Sequence, residues 1–148
     1  MDTKTLKTGG LLAALLLTST PALAHEIVRD GNVGALLHIE PDDAPLVGLP
    51  NKTWFETNQR GGKAITLINC ACILSVYQGA VKPGVNPIST PGLKTEKNKL
   101  TADLVFPQEG AYTLVLTGKP RPGATFNAFR LEWVVRAEKP GGHGAHAH

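Results

Sequence analysis

From Val33 onward the apolar residues cluster in short runs separated by Gly-, Pro- and Asp-rich breaks, and no run sustains a period near 3.6 behind an N-cap. Val33 to Glu40 (VGALLHIE) is bounded by Asp30-Gly31-Asn32 and Pro41-Asp42-Asp43. Thr53 to Asn58 (TWFETN) combines aromatic and β-branched residues and stops at the turn signal Arg60-Gly61-Gly62. Lys63 to Gln78 (KAITLINCACILSVYQ) exceeds an average strand, which predicts two strands or one bent strand with a break near Asn69. Leu100 to Phe106, Ala111 to Thr117 and Phe126 to Ala137 supply three more. Many short strands spaced by Gly/Pro turns over about 110 residues predict an all-β chain folded as an antiparallel β-sandwich. Gly79 to Lys99, with Pro83, Pro87 and Pro91, reads instead as a loop of about 20 residues. Loops that long in a compact domain are usually functional or disordered.

Ala102 to Leu116 (ADLVFPQEGAYTLVL) refines the fold class. Phe106-Pro107 closes a strand, Gly110 turns the chain, and Tyr112 opens the next strand. This arrangement resembles the tyrosine corner of immunoglobulin-like sandwiches, in which the phenol caps a backbone group where the chain changes sheet. The paired cysteines of antibody domains are missing, so the expectation is that architecture without their disulfide.

The chain's two ends read differently from this body. Lys4 and Lys7 precede the apolar run Leu11 to Leu17, and Ala22-Leu23-Ala24 supplies a small-residue cleavage pattern. Residues 1–24 are therefore expected to be a secretory signal, leaving a domain over 25–138 and a low-complexity, His-rich tail over 139–148 (KPGGHGAHAH). The expected location is the periplasm or the exterior, with no stable membrane span, because a span needs about 20 apolar residues. The formal charge of +3 falls to +2 once Asp2, Lys4 and Lys7 are removed. The scattered Lys and Arg form no surface of the kind that binds nucleic acid.

Cleavage after Ala24 changes the chemistry of one residue. His25 becomes the chain's first, and its α-amine and imidazole Nδ1 can close a six-membered ring on one metal ion. Neutral nitrogen donors of this kind suit copper, at the top of the divalent affinity order. His38 is the candidate partner, since in an extended strand it shares a face with Gly34 and Leu36 while Ala35, Leu37 and Ile39 take the other. Glu26, Glu40, Asp42 and Asp43 lie close in sequence and offer a carboxylate as a further ligand or as an orienting group. Cys70 and Cys72 are separated only by Ala71. On a regular strand their Cβ atoms stand about 6–7 Å apart, too far for a disulfide, whereas a bulge or turn at Asn69 to Ala71 would permit one. They remain readable as buried structural residues, as a two-thiolate site for a soft ion such as Cu(I), or as a redox-active or strained disulfide. His143, His146 and His148 form a secondary, loose metal-binding tail.

No Gly-x-Ser-x-Gly turn, His-Glu-x-x-His or phosphate loop is present, which argues against an enzyme. A copper mono-oxygenase of the polysaccharide-cutting kind also begins with His on a β-sandwich. It needs a second ring-copper His and a flat aromatic face, and Trp54 and Trp133 read as core. Pro41 to Ile65 (PDDAPLVGLPNKTWFETNQRGGKAI), with Pro45, Gly48, Phe55 and Gly61-Gly62, together with His25, resembles the small periplasmic copper-binding proteins of the CopC and YtkA type. That resemblance implies Cu(II) bound through the N-terminal His, a further His and an Asp. His25 matches the first by position and His38 the second in type, while no aspartate is assigned. The Met-rich Cu(I) loop of some relatives is absent, and Cys70 and Cys72 would be its replacement. The resulting expectation is an exported copper carrier, buffer or accessory protein, with a membrane copper transporter or an envelope protein as partner. The competing reading is a metal-free structural or interaction module of the cell envelope.

Overall fold

The computed structural model describes residues 27–141. Their strands are β1 (Val28–Asp30), β2 (Val33–Ile39), β3 (Asn51–Gln59), β4 (Cys70–Gln78), β5 (Lys94–Glu96), β6 (Lys99–Leu104), β7 (Gly110–Pro120) and β8 (Phe129–Ala137), and no helix occurs among the described residues. One sheet runs β1-β2-β3-β6-β5 and the other β4-β7-β8, every strand pair being antiparallel. Period-2 alternation turns one face of each sheet inward. Val33, Ala35, Leu37 and Ile39 of β2 and Phe55 of β3 are buried there, as are Leu74 of β4, Leu114 and Leu116 of β7 and Leu131 and Trp133 of β8. Phe55 meets Trp133 across the two sheets at 5.2 Å between ring centroids, so the layers share one core. Full burial of each large apolar side chain contributes about 1.5–3 kcal/mol.

The connections explain how the layers are joined. Tyr112 donates from its hydroxyl to the Gln108 carbonyl at 2.6 Å and accepts from the Gln108 N–H at 3.1 Å, as the Gly110-Tyr112 pattern predicts. At the same end of the molecule, buried Asn51 accepts from the Leu46 N–H and donates to the carbonyls of Leu46, Leu49 and Leu104. Its amide therefore holds the segment leading into β3. That segment also pairs with both sheets, through Val47 N–H to the Glu138 carbonyl and Gly48 N–H to the Phe106 carbonyl, each 2.9 Å.

Several expectations need revision. Two short strands were not anticipated. β1 returns into β2 through Gly31-Asn32, with Gly31 at φ 59°, and β5 returns into β6 through Lys97 and Asn98, at φ 48° and 61°. Two-residue hairpins favour such left-handed positions because they match the twist of the strands. The stretch Gly79 to Lys99 is accordingly not a bare loop: it contains β5, and Ser89 pairs with Val76 on the free edge of β4. The break near Asn69 is present, with the Asn69 side chain bonded to the Thr66 N–H and the Ala64 carbonyl. Before that break the chain makes only a bridge, Asn58 to Ala64, so Lys63 to Gln78 holds one strand and not two. Trp133 is core, but Trp54 is not. It is half-buried on the outer face, because its neighbour Phe55 points inward and adjacent strand residues face opposite ways.

Candidate metal centre

His38 stands on the outer face of the five-stranded sheet. The β2–β3 register sets it directly opposite Trp54, and Trp54 in turn faces Thr101 of β6. The imidazole lies over the indole with 5.2 Å between centroids and 18° between planes. The stack sets the imidazole nearly parallel to the indole on the sheet's outer face. In the adjacent row Leu36 faces Glu56, whose carboxylate is 2.9 Å from Lys99 Nζ. The same ammonium is 5.9 Å from the Trp54 ring centroid. Both side chains of that ion pair are more than a third exposed, so it contributes little to stability.

The carboxylates named from sequence separate into different roles. Glu40 continues the ladder, its N–H donating to the Lys52 carbonyl at 2.8 Å, and as residue i+2 it shares His38's face. Asp43 is committed to the turn that follows, accepting from the Ile39 N–H at 2.8 Å, with Asp42 and Asp43 at φ 49° and 56°. Glu26 lies outside the described residues, as do His25, His143, His146 and His148. Among the described residues no group of three His, Cys, Asp or Glu side chains is gathered as a metal cage. Described donors alone thus supply one imidazole with Glu40 and Glu56 on the flanking rows.

Sequence reasoning did not foresee the groove beside this row. About 490 Å³ in volume, it is lined by Ile27, Arg29, Gly34, Leu36, Glu56 and Arg60, among others. Gly34 is part of its lining, and an added Cβ there would meet Ile27 Cγ2 and Arg29 Cγ at 3.4 Å, about ordinary contact distance.

Cys70 and Cys72 are joined by a disulfide, with Cα atoms 5.3 Å apart. Two residues of straight strand would span about 6.6 Å. The start of β4 is therefore contracted just after the Asn69 turn, the exception that the sequence left open. In this oxidised form neither sulfur is a thiolate, and the two-thiolate metal site is not present. The pair is also remote from His38. Cys70 and Cys72 pair with Pro120 and Gly118, at the end of the molecule where Phe129 and Val33 begin their strands, whereas His38 lies toward the Asn51 end. The proposed soft site and the histidine site are thus two places and not one.

Comparison with family models, with curated proteins and with solved structures finds no match to this chain. No helix among the described residues is long and apolar enough to cross a membrane.

Proposed function

We propose that this chain is an exported copper carrier or buffer with an immunoglobulin-like fold, holding Cu(II) as cargo between a mature N-terminal His25 and His38. The observation that carries the reading is the β1–β2 register. Val28 stands opposite Ala35, Arg29 opposite Gly34 and Asp30 opposite Val33. β1 therefore enters the sheet three residues after position 25, beside β2, the strand that carries His38. His25 then offers its amine and Nδ1, His38 a second imidazole held against Trp54, and Glu40 or Glu56 an oxygen from a flanking row. Nitrogen-rich, equatorial donors of this kind suit Cu(II). The Tyr112–Gln108 hydrogen bonds favour the immunoglobulin-like assignment.

Titration of Cu(II) into chain beginning at His25 tests this reading, beside a control with one residue added before His25. The extension separates the amine from the imidazole and leaves the tail histidines intact. Tight one-to-one binding that the extension abolishes supports the proposal; equal, weak binding by both assigns the metal to His143, His146 and His148. In that event the interaction-module reading gains, and the outer face of β4-β7-β8 is where it would act, since Ile73 and Val134 are 59% and 76% exposed there.

A further inference from the structure

We propose that the Cys70–Cys72 disulfide is a thiol–disulfide exchange site for an external dithiol, independent of metal binding. A bond between residues two apart closes so short a loop that it constrains the unfolded chain far less than a long-range staple does. Stability therefore gives little reason for the pair. The fold nonetheless keeps a space for it. Gly118 is the cross-strand partner of Cys72, and a Cβ built there would lie 2.7 Å from Cys70 Sγ and closer still to the Phe129 ring. The position opposite the disulfide has room for sulfur and ring only because it carries no side chain.

The two cysteines differ in access. Cys70 is wholly buried, whereas Cys72 is partly exposed. Cys72 is therefore the residue an incoming thiolate reaches, and Cys70 supplies the leaving sulfur. Arg121 donates from Nε to the carbonyls of Leu67 and Cys70 at 3.0 and 3.2 Å, which holds the backbone on the N-terminal side of the pair. β4 is the edge strand of its sheet, and Ile68, 83% exposed, stands in the turn that leads into the pair.

The exchange balances without a metal. One thiolate of the dithiol attacks Cys72 Sγ, the S–S bond breaks, and its electron pair leaves on Cys70 Sγ, which takes up a proton. The donor's second thiolate then attacks the donor sulfur of the mixed disulfide and releases Cys72, which is protonated in turn. Two electrons and two protons pass to the chain, the dithiol becomes a disulfide, and the reverse reaction follows the same path.

Dithiothreitol serves as the probe, with alkylation by iodoacetamide and mass spectrometry as the readout. The native chain is expected to take up two alkyl groups within minutes, without denaturant and with its circular dichroism unchanged. In Cys70→Ser, the remaining Cys72 should form a mixed disulfide with oxidised glutathione about tenfold faster than Cys70 does in Cys72→Ser. Reduction only in denaturant, or equal rates for the two variants, would overturn the proposal. Should a serine variant not fold, the wild-type mixed disulfide formed with a monothiol is mapped by peptide digestion. An adduct on Cys72 supports the assignment, and an adduct on Cys70 overturns it.

Discussion

Replacing Gly118 by Ala is expected to destabilise the fold by about 1–2 kcal/mol, the balance of two opposed effects. The new methyl would point inward from β7, 2.7 Å from Cys70 Sγ and nearer still to two atoms of the Phe129 ring. Non-bonded carbon atoms settle at about 3.5–4.0 Å, so the neighbours must retreat by roughly 1 Å. Neither is free to do so. Cys70 is tied to Cys72 and fully buried, and Phe129 is buried against Phe126 with 5.9 Å between centroids. Overpacking of this kind costs about 1–3 kcal/mol. Against it, Ala restricts the unfolded chain more than Gly and contributes about 0.4–1 kcal/mol where the backbone permits it. Gly118 has no positive φ, so that gain applies in full. Equilibrium urea unfolding followed by the emission of buried Trp133 measures the sum, with the m-value expected to stay constant. Phe129→Leu combined with Gly118→Ala identifies the obstacle: if the ring is responsible, the double variant should be more stable than additivity predicts by at least about 0.5 kcal/mol. A Gly118→Ala protein as stable as its parent would refute the steric reasoning, and strict additivity would remove Phe129 from it.

Asn51→Ala removes one acceptor and three donor contacts that hold residues 46–49 and Leu104. At about 1 kcal/mol per net hydrogen bond, a loss of about 2–4 kcal/mol is expected in urea unfolding, with faster amide exchange at Leu46. Tyr112→Phe deletes both bonds to Gln108 while preserving the ring's contact with Phe106 at 4.7 Å, so a loss of about 1–3 kcal/mol is expected by the same measurement.

Strands with clear alternation were legible from sequence, because burial of one face leaves its mark at every second residue. β2 is the clearest case: Val33, Ala35, Leu37 and Ile39 are buried, and His38 falls on the opposite face with Gly34 and Leu36. β1 and β5 were not legible. Three residues such as Lys94-Thr95-Glu96 carry no apolar alternation, and the left-handed pair Lys97-Asn98 lacks the Gly that usually marks such a turn. Trp54 shows a different limit. Trp54 and Phe55 are adjacent and cannot both face the core, and only the cross-strand register decides that Phe55 does. The same non-local register stacks His38 on Trp54, so the candidate residue could be named in advance but its surroundings could not. The disulfide depends on a local contraction after Asn69, which residue spacing alone does not specify.

The central claim, that His38 joins a mature N-terminal His25 in one copper site, is most directly tested by counting coordinated imidazoles. Pulsed EPR of the one-to-one Cu(II) complex would use chain beginning at His25 and ending at Gly141, so that the tail histidines contribute nothing. The account predicts two equatorial imidazoles in this protein and one in its His38→Ala variant, with weaker binding. An identical spectrum and affinity in the two proteins would contradict it and leave His38 as a side chain stacked on Trp54 with no part in holding copper.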